Sequence, residues 1–288
     1  MNPAPPPTPE LSPDPVSRPG RWRPSPAIRL SLWLHGALPP AFLFFPKLWP
    51  WLLALFLSDQ LWITFGGLWP RSGLLGPNLV RLPSEGARSG RVALTFDDGP
   101  DPEVTPAILD LLDSHGAKAS FFCIGSRAER QPALVREIVR RGHSVENHSF
   151  RHSHVFACYS LGAFRREIGR AQAVLGADSG ATPRFFRAPM GFRNPFLAPA
   201  LVEAGLRYVS WTRRGFDTAC RKPEVVLRRL TRDLAEGDIL LLHDGSSART
   251  AEGEPVSLGV LEELLPLLEA RGLRAVSLPM ALPDQPGL

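Results

Sequence analysis

Cysteine is scarce: the 288 residues contain three, at Cys123, Cys158 and Cys220. An odd, small number builds no disulfide framework, so a disulfide-stapled fold is excluded. No Cys-x-x-Cys pair is present to claim a metal. Reduced thiols agree with a cytoplasmic domain. Strong charge of one sign is also missing. The 33 Lys and Arg against 28 Asp and Glu leave a net charge of +5. Residues 91–288 hold 25 basic and 24 acidic side chains, and residues 1–90 hold 8 and 4. The main part of the chain therefore lacks the clustered cationic face that nucleic acid requires, and no nucleic-acid partner is expected. No internal repeat is visible. With 44% hydrophobic and 21% charged residues the composition is that of a globular protein, which excludes a wholly disordered chain.

The first quarter differs in kind. Residues 1–26 include ten prolines, with Pro5, Pro6 and Pro7 in a row. Proline fixes φ and lacks an N–H, so this tail is expected to form neither helix nor sheet. Residues 27–70 then turn apolar. Between Leu30 and Pro46 there is no formal charge if His35 is neutral, and between Leu48 and Pro70 the only charge is Asp59. Trp33, Trp49, Trp51, Trp62 and Trp69 lie in this stretch. A spanning helix needs about 20 apolar residues. Each run approaches that length, but Pro39-Pro40 is expected to break the first, and Asp59 sits midway in the second. Tryptophan favours the headgroup level, which suits an interfacial segment or a short hairpin insertion. The alternative is an apolar helical layer packed on the main domain. The apolar run starts late and no Ala-x-Ala site follows it, which argues against a secretory signal peptide. Arg18, Arg21, Arg23 and Arg29 precede the stretch, Arg71, Arg81 and Arg88 follow it, and only Lys47 lies between the runs. This pattern favours a hairpin with both ends cytoplasmic; a single span would place the rest of the chain outside. Asp59 is either functional within a membrane or marks a turn between interfacial helices.

Residues 71–90 are rich in Gly, Pro and Ser and read as a linker. From Arg91 to residue 282, β-rich runs alternate with helical patterns. Strands are predicted at 91–96, 118–124, 144–147, 184–187, 206–211, 238–243 and 273–278, and helices at 132–141, 161–175, 223–234 and 258–271. Seven strands alternating with helices imply a parallel sheet of the α/β class. Reactive groups then belong just past the C-terminal ends of the strands.

Five polar clusters occupy those positions. Val92 to Phe96 runs into Asp97-Asp98-Gly99-Pro100, and adjacent carboxylates repel unless a metal or an arginine offsets them. His148-Ser149-Phe150-Arg151-His152 follows the third strand, and two histidines four apart can bind one metal. Asp, His and His together make a three-ligand set with open positions, the catalytic pattern. Phe185-Phe186-Arg187-Ala188-Pro189-Met190-Gly191 puts an arginine at a strand end, where it can pair with a carboxylate. Gly215-Phe216-Asp217-Thr218 comes next. Ile239 to Leu242 leads into His243, placed for acid–base work near neutral pH. Each cluster alone is more readily read as a polar turn, a surface arginine or a structural histidine. Their occurrence at successive strand ends is the argument for a site. His35, His115, His143 and His154 read as structural or exposed, and Cys123, Phe121-Phe122 and Phe185-Phe186 as core.

In their order these motifs resemble the polysaccharide deacetylase family, carbohydrate esterase family 4, also known as the NodB-homology domain. The resemblance rests on Thr95-Phe96-Asp97-Asp98-Gly99-Pro100, on His148 to His152, on Arg187-Ala188-Pro189-Met190-Gly191, on Asp217 and on Leu240-Leu241-Leu242-His243. It covers about residues 88–280. It implies a partial, distorted (β/α) barrel and metal-dependent removal of an N- or O-linked acetyl group from a sugar. It further implies that Asp98, His148 and His152 hold a divalent ion, commonly zinc, with cobalt, nickel or manganese accepted by the same set. Asp97 would be the general base and His243 the general acid. Arg187 would orient Asp97, Asp217 would tune His243, and backbone near Met190 and Gly191 would stabilise the oxyanion. The chain departs from the family at Met190, where an aromatic residue is common, and at Thr218-Ala219-Cys220, where a second Asp and a Trp are usual. Trp211 lies earlier and is not counted as a substitute.

The expected substrate is an acylated amino sugar, as polymer, oligosaccharide or lipid-linked precursor, with membrane contact through residues 27–70. A deformylase or amidase acting on a lipid-linked amino sugar is the enzymatic rival. A non-catalytic carbohydrate-binding module is the rival of another class, disfavoured because a binder needs neither Asp97 nor His243.

Overall fold

The computed structural model describes residues 21–87, 90–180 and 182–283. Most of the Pro-rich tail, residues 1–20, and the flanking Arg18 and Arg88 lie outside the described residues.

The strands are β1 (Arg91–Asp97), β2 (Ser120–Cys123), β3 (Ser144–Asn147), β4 (Phe185–Phe186), β5 (Arg207–Tyr208), β6 (Arg213–Arg214), β7 (Ile239–His243) and β8 (Arg274–Val276). Seven form one path in the order β5-β4-β3-β2-β1-β7-β6, and β8 pairs with β1. Every pair is parallel. β1 shares one edge between two partners. Its first half pairs with β8 from Arg91 to Ala93, and its second half with β2 from Thr95 to Asp97. The result is the expected partial barrel. β6 was not foreseen, because two arginines carry neither alternation nor β-branched character.

β1 and β7 are buried almost throughout, as parallel strands covered on both faces should be. The two-residue period then sorts their side chains. Val92, Leu94 and Phe96 of β1, with Leu240 and Leu242 of β7, face the helices Val104–Ser114 and Val256–Ala270. Ala93 and Ile239 face the other way, into a second cluster with Phe122, Phe185 and Val209. Counting by twos along each strand puts Thr95, Asp97 and His243 on that inner face. Burying each large apolar side chain contributes about 1.5–3 kcal/mol, so this sorting specifies register strongly.

Within the expected linker 71–90, residues 75–82 pack closely because Leu75 and Leu82 are buried. Leu79 bridges Val209, and Arg81 bridges Asp238. Leu79 N–H donates to the Tyr208 carbonyl (3.0 Å) and Leu82 N–H to that of Gly237 (2.8 Å). This strap fills the gap between β5 and the start of β7.

Ahead of it stand two long helices, α1 (Pro26–Phe44) and α2 (Trp49–Leu68). Ser25 caps α1, its hydroxyl accepting from the Ile28 N–H at 3.2 Å. Pro39-Pro40 does not break α1, contrary to expectation. The two rings remove only two N–H donors, and bonding resumes in the last turn, where Phe45 N–H donates to the Ala41 carbonyl at 2.9 Å. The pair forms a hairpin whose polar residues meet in its middle. Ser31 Oγ donates to Asp59 Oδ2 at 2.7 Å, and His35 lies 3.7 Å from the same oxygen. Asp59 therefore sits inside a helix rather than at a turn. Pro46–Leu68 is apolar and long enough to cross a membrane, and only 11% of its most apolar window is buried. The buried residues of the two helices, Ile28, Gly66 and Gly67, lie near the base of the hairpin.

Candidate active site

The parallel register brings the C-terminal ends of β1, β3, β4 and β7 to one rim. Asp97 pairs with His243 across β1 and β7, and Asn147 pairs with Phe186 across β3 and β4. His148 and Arg187 are the next residues on their chains. Asp97, Asp98, His148, Arg187, Asp217 and His243 are all buried.

Arg187 is the centre of the inner face. One terminal nitrogen, Nη1, donates to Asp97 Oδ1 at 2.6 Å and to Thr95 Oγ1 at 2.9 Å. Nη2 donates to the Ser210 carbonyl at 2.8 Å. The guanidinium lies 4.2 Å from the centre of the Phe122 ring. Removing a guanidinium from water costs several kcal/mol, so it is tolerated only with this carboxylate, these acceptors and the aromatic face together. Thr95, whose hydroxyl also donates to the Leu240 carbonyl at 2.7 Å, was missed by sequence reasoning. It is two residues from Asp97 on the same face, and that spacing is the signal that marks it.

Asp98 turns away from its neighbour. Its φ of +73° lies in the left-handed region, where an aspartate is uncommon. The carboxylate Oδ1 lies 3.3 Å from His148 Nε2 and 3.2 Å from His152 Nε2. One ligand atom from each of the three side chains falls within 4.8 Å of the others. His148 Nδ1 is 2.8 Å from the Arg187 carbonyl, which fixes Nδ1 as the donor and leaves the Nε2 lone pair facing Asp98. Asp98 Oδ1 is buried without hydrogen-bond geometry to any protein donor. An oxygen and two imidazole nitrogens converging in this way fit a divalent ion with open positions. Burial works against a charged Asp98, but His148, with His243 and His152 behind it, holds the carboxyl below the usual range. Burial also opposes charge on both ligand imidazoles. For His148 the Asp97 and Asp98 carboxylates outweigh it and the pKa rises. For His152 burial and the neighbouring His148 prevail, and the pKa falls to about 4.

His243 faces the pair from β7. Its Nδ1 is 2.9 Å from Asp217 Oδ1, and its backbone N–H donates to Asp217 Oδ2 at 2.8 Å. Burial opposes the imidazolium, but Asp217 first, then Asp97 and Asp98, overcome it and raise the pKa above the ordinary value. Met190 and Gly191 form the lip, with φ of +56° and +78°. The Gly191 N–H is taken by the Ala188 carbonyl at 2.8 Å.

These groups border an open cleft of about 380 Å³, together with Trp211 and Arg214. Trp211 was not expected there. It ends the run that continues from β5 past Val209, between the bonds of Ser210 to Leu79 and of Thr212 to Ile239. His154 lies on the rim, exposed, while His143 is buried with Nδ1 accepting from the Ala119 N–H at 3.2 Å. Two other residues escaped the sequence reading. Arg127 donates to the carbonyls of Asp98 (2.7 Å) and Gly245 (2.6 Å), joining the loops after β1 and β7. Asp244 accepts from Thr105 Oγ1 at 2.6 Å, and burial raises its pKa to about 7. A larger cleft, about 480 Å³, lies between Arg91, His115 and Arg274 at the opposite strand ends, away from these groups.

The polysaccharide deacetylase family profile matches residues 85–209. A chitooligosaccharide deacetylase of Sinorhizobium fredii is 34% identical over 206 residues, covering 70% of this chain and 96% of that protein. A peptidoglycan-N-acetylglucosamine deacetylase of Bacillus cereus is 34% identical over 188 residues, covering 65% of this chain and 85% of its own. Among solved structures, a family 4 acetyl xylan esterase from Clostridium thermocellum in complex with a cobalt ion superposes with a TM-score of 0.60. It is 31% identical and covers 67% of this chain and 90% of its own.

Proposed function

Because the chain belongs to the polysaccharide deacetylase family, we propose that it hydrolyses the acetyl group of an N-acetylated amino sugar, or an O-acetyl group, with a divalent ion. Asp98, His148 and His152 hold that ion, zinc before cobalt, nickel or manganese. The observation that carries the reading is the convergence of these three side chains beside an arginine-paired Asp97 and an aspartate-paired His243.

When bound, the ion supplies Lewis acidity, polarising the acyl carbonyl and making water a better nucleophile at neutral pH. Asp97 accepts the proton of the attacking water, and Arg187 holds its carboxylate toward the cleft. The water oxygen bonds to the acyl carbon while the carbon–nitrogen bond breaks. His243, kept cationic by Asp217, gives its proton to the departing nitrogen, which leaves as the free amine with acetate as the other product. The Met190 N–H stands at the lip where the developing oxyanion needs a donor, since that of Gly191 is already used. A preorganised donor of this kind contributes about 3–4 kcal/mol.

The presence of both a base and an acid beside the ligand set supports an enzyme over a carbohydrate-binding module. The test is release of acetate and of formate from matched acyl sugars, before and after chelation and after metal is restored. Chelator-sensitive acetate release is expected. Formate release alone would make the protein a deformylase, and no release from any acyl sugar would leave a binding module.

We also propose that α1 and α2 enter the membrane as a hairpin. Its base carries Arg21, Arg23, Arg29 and Arg71, while the tip carries only Lys47. That distribution supports a cytoplasmic catalytic domain.

A further inference from the structure

The hairpin and the cleft share a wall. α2 leads through Trp69 directly to Pro70, and Pro70 packs on Gly191: a Cβ built on that glycine would lie 2.8 Å from Pro70 and 2.6 Å from Trp211. The Pro70 carbonyl accepts from Ser210 Oγ at 2.6 Å, beside Trp211. The Arg193 N–H donates to the Gly67 carbonyl of α2 at 3.1 Å, and its buried guanidinium donates to the Ser72 carbonyl at 2.5 Å. Gly66 and Gly67 are buried, Gly66 against the Leu74 side chain and Gly67 against the Arg193 carbonyl, which leaves Gly67 no room for a side chain. From the N-terminal side, Ser25 Oγ donates to the Leu74 carbonyl at 2.6 Å. The base is therefore seated on the segment that carries Met190 and Gly191.

The 20 residues of α2 span about 30 Å at 1.5 Å per residue, the thickness of a hydrocarbon core. Trp49 and Trp51 mark one end of that length and Trp69 the other, all exposed. The lip of the cleft then stands at the headgroup level. Two cations stand on this side, one at the hairpin base and one at the cleft. Arg71 extends to the Thr212 carbonyl at 3.3 Å, next to Trp211. Arg214 borders the cleft with its guanidinium 5.2 Å from the Trp211 ring and 4.9 Å from that of Phe216. Among the described residues neither arginine has a carboxylate within ion-pair distance, whereas Arg187 and Arg213 nearby are held by Asp97 and Asp238. A neutral sugar polymer offers such cations only uncharged acceptors. A phosphate between a sugar and a lipid does, and the membrane brings it to that height.

We propose that the substrate is an N-acylated amino sugar joined through a phosphate or diphosphate to a membrane lipid, with Arg71 and Arg214 recognising the phosphate. This rests on the deacetylase reading and specifies its substrate class. A reaction that attaches an amino sugar to a lipid phosphate must supply this substrate, and one that uses the free amine must follow.

The test uses the full chain reconstituted in vesicles with its metal restored. Acetate release is compared on N-acetylglucosaminyl diphosphate-polyprenol in the vesicle, on UDP-N-acetylglucosamine, which has the diphosphate without the lipid, and on chitotetraose. The lipid-linked sugar should be used with at least a hundredfold greater kcat/KM than chitotetraose, chiefly through KM, with the nucleotide sugar between them. R71A/R214A should lower that preference at least tenfold through KM, and R71K/R214K should restore most of it. Equal use of chitotetraose, or a preference that survives R71A/R214A, overturns this inference while the deacetylase reading stands. Acetate release from none of the three overturns both.

Discussion

Asp97 and Asp98 are adjacent, yet the backbone sends one to an arginine and the other to two histidines. On the proposed roles, Asp97 as base and Asp98 as ligand fail differently when their charge is removed. Asp97→Asn should cut kcat/KM by about 10²–10⁴-fold while bound metal, measured by elemental analysis, stays near one equivalent. Asp98→Asn should lose activity together with the metal. The Asp217–His243 pair predicts a pH effect. A raised pKa keeps His243 protonated above its ordinary value of 6.5, so the basic limb of kcat/KM should lie above that pH. Asp217→Asn removes the main group that raises it. The limb should then move down, so that activity at pH 8 falls more than activity at pH 6, a difference read from profiles over that range. The sequence makes the carboxylate pair and the histidine pair visible because both end apolar strands. Which aspartate does what came only from the family resemblance, since φ at Asp98 is not written in residue type. Arg127 and Asp244 stayed hidden for another reason. Their partners are carbonyls and a hydroxyl, and such partners leave no mark in a motif.

At the scale of elements, every strand but β6 falls on a run predicted from the sequence, the short β4 and β5 included. β6 and the strap along β5 depend on partners far away in the chain. Helix α1 shows the limit of proline as a breaker: two lost donors near one end leave the other turns intact. The turn between Pro132–Arg140 and β3 holds a further titrating group, the buried His143. Burial, then Lys118, keep it neutral against the pull of Asp113, and its pKa falls to about 4 from an ordinary 6.5. Above pH 6.5 the ring is neutral in both folded and unfolded chains, and stability is whole. As pH falls from there toward 4, the unfolded chain takes up a proton that the folded one refuses. The loss reaches about 3 kcal/mol at most. His143→Asn keeps an acceptor for the Ala119 N–H and should flatten that decline. Urea midpoints at pH 7 and pH 4.5 for the two proteins measure it, and parallel shifts would assign the acid sensitivity to other groups.

For the whole molecule, the proposed membrane hairpin raises the question of which side of the membrane the cleft faces. Cys158 is exposed on the catalytic domain, and Cys123 is buried. A membrane-impermeant maleimide applied to intact cells should leave Cys158 unlabelled and should label it after permeabilisation. Labelling in intact cells would place the domain outside. The sequence indicated the apolar stretch and its flanking arginines but not where the hairpin meets the domain. That junction is made by glycines and backbone carbonyls, which carry no hydrophobic pattern.

The direct seating of α2 on Arg193 leaves no slack between anchor and blade. A domain on a loose tether sweeps a volume and modifies whatever polymer drifts into it, at scattered positions. With the hairpin inserted as proposed, this one works at a fixed height, as a plane set to a single depth. A sugar held close to the lipid surface comes under it, and units farther along an extended chain pass above. Lengthening the Trp69–Pro70 junction by a flexible insert would free the height, and the distribution of free amines along a product would change from ordered to scattered.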